Sequence, residues 1–179
     1  MSPLLLAFGG LPGTGKSTIA HHVAKSCGAT CLRIDVIEQA IRSAGVLAGD
    51  VGPAGYVVGY GLAVANLKLG QMVVADSVNP LAMTRQAWRA VAAQADAPVI
   101  EVEIVCSDRE EHRRRVETRE GDIAGHVLPD WAAVVSHDYE PWPQPHLVID
   151  TARCSPAEAA AQIMAAAGAQ GVPLRPYLR

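Results

Sequence analysis

The residues best suited to chemistry are Gly10-Leu11-Pro12-Gly13-Thr14-Gly15-Lys16-Ser17, followed by Thr18. They carry the glycine-x4-glycine-lysine-serine spacing. Glycines at this spacing let successive backbone N–H groups turn inward onto phosphate oxygens, and a helix starting near Lys16 adds its partial positive charge. Lys16 would reach the β and γ phosphates, and Ser17 would ligate Mg²⁺. The implied ligand is MgATP, cradled by Gly10, Pro12, Gly13, Thr14, Gly15, Lys16, Ser17 and Thr18.

Three further groups could act beside that cradle. Asp76 closes an apolar run, where a carboxylate can hold the metal through water or simply form a turn; Ser77 could assist it. Asp35 lies where a second apolar run passes into a helical pattern, so it can be the base for an acceptor hydroxyl, a helix cap, or both. Arg42 follows seven residues later on the same helical face, able to hold the acceptor or to pair with Glu38. Arg115 and Arg119 stand four apart on a segment with Val116 as its one clear hydrophobe. Like charges at that spacing repel unless a triphosphate or a carboxylate such as Glu111 offsets them, so the segment is either a nucleotide-binding helix or a solvated one.

These groups need a frame that gathers them. Short apolar runs at Leu4–Phe8, Thr30–Ile34, Met72–Ala75, Val99–Val105 and His146–Ile149 alternate with helical patterns. The helices are expected over Lys16–Cys27, Asp35–Ala44, Tyr56–Leu69, Pro80–Ala95, from Ser107, and from Ser155. Ser107 with Glu110 and Ser155 with Glu158 both read as capping boxes, the second with Pro156 at the first helical position. Gly45–Gly55 reads as a flexible loop. The predicted fold is a three-layer α/β domain over residues 1–179, a five-stranded parallel sheet flanked by helices, with function at the carboxyl ends of the strands.

Composition narrows the partners. Half of the residues are apolar and the net charge is −3, which argues against a broad nucleic-acid or membrane footprint. The cysteines Cys27, Cys31, Cys106 and Cys154 are scattered and read as free thiols, and the apolar opening is too short for a signal core, so a cytoplasmic protein is expected. His126 and His137 have no metal-ligand spacing, and Trp131, Trp142 and Tyr139 read as packing anchors.

The cradle, Arg33-Ile34-Asp35 with Arg42, Val73–Pro80 with Arg85, and Arg115-Val116-Glu117-Thr118-Arg119 follow the order seen in small P-loop kinases. The chain most resembles the chloramphenicol phosphotransferase group, with polynucleotide 5′-hydroxyl kinases and gluconate-kinase-like enzymes as neighbours. The resemblance implies a nucleoside-kinase-like fold, a general base at Asp35 and acceptor binding by Arg42 or Arg85. It also implies Arg115 against adenine, Arg119 near the phosphates, and Thr151–Arg153 bordering the base. The lid from Gly121 to Leu128 is short and lacks further arginines, which argues against a nucleoside monophosphate kinase. The absence of a basic, aromatic-interleaved channel argues against a polynucleotide acceptor.

The function expected is transfer of the γ-phosphoryl group of MgATP to a hydroxyl of a small molecule, with Asp35, Lys16 and Arg119 catalytic. A polynucleotide 5′-hydroxyl kinase and a non-kinase ATP-binding switch are the alternatives.

Overall fold

The computed structural model describes residues 2–47, 49–169 and 171. Ala48 of the glycine-rich loop and the end of the expected domain, residues 172–179, lie outside the described residues. Twelve elements follow in the order β1 Leu4–Gly9, α1 Lys16–Cys27, β2 Thr30–Arg33, α2 Ile34–Ser43, α3 Ala54–Lys68, β3 Met72–Asp76, α4 Ala82–Gln94, β4 Val99–Val105, α5 Arg109–Thr118, α6 Trp131–Val135, β5 Leu147–Asp150 and α7 Pro156–Ala169.

The strands form one parallel sheet in the order β2-β3-β1-β4-β5. Its centre is β1, paired with β3 through Leu5 and Val73 and with β4 through Leu6 and Ile100. A central strand covered on both faces should be apolar at every position, and β1 is. Leu4, Leu6 and Phe8 face Ile19 and Val23 of α1 and Ile163 of α7. Leu5 and Ala7 face the opposite side, with Leu67 of α3 and Trp88 of α4. Each large side chain so enclosed stabilises the fold by about 1.5–3 kcal/mol before entropy is counted. The five-stranded parallel three-layer fold predicted above is the one observed.

Three boundaries differ for local reasons. α5 is capped by Asp108, whose carboxylate accepts from the N–H groups of Glu110 and Glu111. Ser107, expected as that cap, instead donates its hydroxyl to Asp150 at 2.6 Å, tying the ends of β4 and β5 together. α3 begins at Ala54, so Gly55 belongs to the helix rather than the preceding loop, and a Cβ there would overlap the Glu38 side chain. The short α6 was not expected; Asp130 caps it by accepting from Ala133 N–H. The Ser155–Glu158 capping box is present in both directions, with Ser155 N–H donating to Glu158 and Glu158 N–H to Ser155 Oγ.

Candidate active site

The parallel sheet brings the carboxyl ends of β1, β2 and β3 to one edge, and a cavity of about 630 Å³ opens there. Pro12, Gly13, Gly15, Lys16, Ser17 and Thr18 form its floor. Gly13 and Gly15 have φ of 85° and 96°, in the left-handed region that favours glycine. At Gly13 a side chain is excluded twice over, because a Cβ would lie 2.5 Å from Val116 Cγ2. Gly10 and Thr14 do not line the cavity. A Cβ on Gly10 would overlap the Ile104 carbonyl, so this glycine lets the loop pack on β4, and Thr14 turns its hydroxyl back onto Leu11 O at 2.9 Å.

Lys16 is 8% exposed and donates to Leu11 O at 2.9 Å. Burial pulls its pKa down to about 8, against the opposing pull of Asp76 and Asp35. Asp76, at the end of β3, is 2% exposed, and its Oδ2 has no hydrogen-bond partner. Burial pushes its carboxyl above the usual range, while Lys16 and Ser17 favour its charge. Ser77 lines the same wall and donates to Phe8 O at 3.4 Å.

Asp35 lies in the first turn of α2 and lines the cavity, with 39% of its side chain exposed. It is not a helix cap: Arg33 holds that position, and no side chain caps the helix. Arg33 is the residue the sequence did not single out. Its Nε lies 3.7 Å from Asp35 and 3.8 Å from Asp76, and its Nη1 donates to Asp122. It therefore joins β2, β3 and the lid.

Arg115, in the last turn of α5, and Arg119, the residue that caps its C-terminus in extended conformation, both line the cavity. Arg115 is pinned by Glu111 at 2.7 Å and by the Thr151 hydroxyl and carbonyl at 2.8 and 3.1 Å, so it links α5 to the loop after β5. Arg119 donates from Nη2 to Pro129 O at 3.0 Å, and its buried Nε has no partner. Burial also pulls its pKa down. The sequence missed how α5 is seated: His112 contacts Pro12 O at 2.9 Å from Nε2, stacks edge-on against Trp131, and is 7% exposed. His126 and His137, which lack metal-ligand spacing, line the cavity.

Three predicted residues stand elsewhere. Arg85 is corrected: it is 1% exposed, its nitrogens donate to the carbonyls of Pro80, Leu81, Glu140 and Pro141, and its guanidinium lies 4.7 Å from the Trp142 ring centroid. Four of the five N–H donors are used on these carbonyls and the group does not line the cavity, so Arg85 serves as a staple between α4 and the 140–141 segment. Arg42 is off the cavity wall and sits 3.4 Å from Glu38. Arg153, also off that wall, is 81% exposed and pairs with Asp150 at 3.1 Å.

The residues present fit a magnesium triphosphate. The floor closes to side chains at Gly13, a lysine faces it, and Asp76 offers a buried oxygen without a partner. Among the described residues no three His, Cys, Asp or Glu side chains converge as metal ligands, so Mg²⁺ would take most of its ligands from phosphate and water. No helix among the described residues is long and apolar enough to cross a membrane.

Residues 5–135 match the AAA domain family. The chain belongs to that family. Its fold is that of P-loop kinases. The APS kinase of Mycobacterium tuberculosis, solved with AMPPNP and APS, superposes with a TM-score of 0.68 at 22% identity, covering 93% of this chain and 98% of that one. A gluconokinase from Sinorhizobium meliloti gives 0.59 at 18% identity over 94% and 97%. The tunicamycin resistance protein of Deinococcus radiodurans gives 0.64 at 18% identity over the full length of both. An uncharacterised protein of Mycobacterium tuberculosis is 44% identical over 48 residues, 27% of this chain but only 10% of that protein's length.

Proposed function

We propose that the protein is a phosphotransferase that moves the γ-phosphoryl group of MgATP to a hydroxyl of a small molecule, working by alignment and charge stabilisation. The observation that carries the reading is the pairing of Lys16 and Asp35 across one cleft, with the unpartnered Asp76 oxygen between cradle and acceptor side. Phosphate binding alone needs Lys16; it gives no use to a carboxylate at the helix entry that caps nothing. MgATP, when bound, supplies the transferable group and the metal charge that draws electron density from it.

The chain's own residues do the rest. Gly13, Gly15 and the first turn of α1 present backbone N–H groups to the phosphates, and Lys16 turns from Leu11 O to meet their charge. Ser17 and Asp76 are the residues that would hold Mg²⁺. Arg119 offers its unpartnered Nε to charge building on the transferring oxygens, and Arg115 braces the adenine side against Thr151. Asp35 accepts the proton of the acceptor hydroxyl as the oxygen attacks, and the new phosphate ester leaves with ADP. The lid of residues 121–128 excludes water that would otherwise be the acceptor. Arg42 would act only by leaving Glu38, and Arg153 only at the rim.

Incubation with radiolabelled MgATP and pools of hydroxyl metabolites tests this directly. Label should pass to a small organic acceptor, and Asp35→Asn should reduce transfer by about 10²- to 10⁴-fold with MgATP affinity retained. Near-normal transfer by a folded Asp35→Asn protein would remove Asp35 as the base. Label appearing only on single-stranded nucleic acid would favour a polynucleotide 5′-hydroxyl kinase, and ATP hydrolysis without any labelled acceptor would favour a switch protein.

A further inference from the structure

The arginines around the acceptor side of the cleft are already engaged by the protein itself. Arg42 faces Glu38, and Arg85 is enclosed by carbonyls. Arg33 lies among three carboxylates, Asp35, Asp76 and Asp122, the last of them carried by the lid. Glu120 lines the same cavity and adds a fourth negative charge. Assigning Asp76 to the metal still leaves Asp35 and Asp122 against one guanidinium. Arg33 keeps a buried Nε without a hydrogen-bond partner, 3.7 and 3.8 Å from Asp35 and Asp76, but its one charge is outnumbered by the carboxylates around it. Lys16 and Arg119 are the cations of the phosphate side.

The Asp122 contact is held at a second point. Gly125 turns at φ 79° against α2, where a Cβ would lie 2.9 Å from Gln39 Nε2. The lid segment therefore holds a carboxylate against Arg33. The Arg33 guanidinium in turn holds the Asp122 carboxyl below the usual range, so the charge persists at neutral pH. A carboxylate or phosphate on the acceptor would have to displace Asp122 or stand unpaired beside Asp35, and both are unfavourable. His126 and His137 also line the cavity and can exchange hydrogen bonds with hydroxyl or amide partners.

We infer that Asp122 is a specificity-determining residue: carried on the lid, it neutralises Arg33 and makes the acceptor an uncharged or cationic hydroxyl compound rather than an anionic one. This rests on the phosphotransferase reading above. It separates the chain from what its fold alone would suggest, because APS and gluconate, named for two of the structural neighbours, are anions.

Two measurements test it. In the first, radiolabelled MgATP is offered with three pools: neutral polyols and amide alcohols, amino alcohols and amino sugars, and anionic alcohols including gluconate. Label should enter a neutral or cationic compound and leave the anionic pool blank. Preferential labelling of the anionic pool overturns the inference while the kinase reading stands. No label in any pool, with MgATP bound, ends the kinase reading instead, and the second measurement then decides the role of Asp122. There the Arg33 Nε–Hε signal is followed by ¹⁵N NMR with Mg-AMPPNP bound while gluconate is added. Gluconate should move that signal in Asp122→Asn at concentrations about two- to fivefold lower than in the native protein, the scale of one exposed ion pair. Asp122→Glu should restore the native response, which a purely packing role would not require. Indistinguishable titrations of the native and Asn proteins overturn the inference.

Discussion

Arg85 is fully buried and Arg119 half-buried, and they are used in opposite ways. Arg85 donates to four carbonyls, and its charge is spent on holding the 140–141 segment to α4. Arg119 makes one carbonyl bond, leaves a buried Nε without a partner, and lines the cavity. A buried guanidinium with unmet donors is costly unless a ligand meets them, whereas a saturated one is structural. A contrast of charge separates the two sides of the cleft: at the phosphate loop Lys16 and Arg119 bond only to the carbonyls of Leu11 and Pro129, whereas Arg33 lies among three carboxylates where the acceptor would enter.

The strongest way to break this contrast is to remove the lysine on the phosphate side. Lys16→Ala deletes the one ammonium that reaches the floor of the cleft, and loss of such a preorganised charge should reduce transfer by about 10³-fold or more. Unchanged MgATP affinity by calorimetry together with unchanged turnover would dissolve the distinction between the two sides.

A smaller but more discriminating effect comes from changing each arginine to alanine. Arg119→Ala should slow transfer by about 10²-fold and cost about 1 kcal/mol or less in stability, since only one carbonyl bond is lost. Arg85→Ala should cost about 2–4 kcal/mol, because it leaves buried carbonyls unpaired and opens a space beside Trp142, with turnover per folded molecule nearly intact. Denaturation curves and specific activity on the same samples separate the two. The reverse pattern would return Arg85 to the acceptor and make Arg119 a staple.

These two arginines also show what a sequence can and cannot tell. The cradle was legible because its chemistry is written in neighbouring residues: Gly13, Gly15 and Lys16 follow an all-apolar strand, and local geometry alone turns them toward one point. The sheet was legible for a similar reason: β1 and β3 are apolar runs, and β4 shows β-branched residues alternating with Glu101 and Glu103. Arg85 was not, because its partners at Glu140 and Pro141 lie 55 and 56 residues away and are backbone carbonyls, which no residue type advertises. His112 on Pro12 and Arg33 on Asp122 span 100 and 89 residues. The cap of α5 failed for a related reason: Ser107 and Asp108 are both good caps in isolation, and the distant Asp150 claims the serine. Pairings decided by tertiary structure leave no local periodicity to read.

The smallest expected effect is a proton. Lys16 has its pKa pulled from 10.5 to about 8, with burial as the first cause; Arg119 and Arg33 push the same way, and Asp76 and Asp35 oppose them. The shift is opposite to that of a lysine gaining a partner, so the sign of its linkage is reversed. The unfolded chain binds the Lys16 proton more tightly than the folded one, and stability rises with pH between about 8 and 10.5; below about 8 the cost of the buried charge is fully present. A triphosphate adds further negative charge directly at Lys16 and should raise the pKa again. At pH 8.5 the free protein holds the proton in a minority of molecules and the complex in nearly all, so binding should take up more than about half a proton. Titrating MgATP calorimetrically in two buffers of different ionisation enthalpy measures that number, and apparent affinity should weaken as pH climbs above about 8. The effect is only several-fold over one pH unit, but it belongs to the phosphate side alone, because Arg33 on the acceptor side is already neutralised by carboxylates and has no proton to gain. Proton uptake of zero at pH 8.5 would mean that Lys16 is charged before the nucleotide arrives, and the spare cationic capacity that distinguishes the phosphate side would then rest on Arg119.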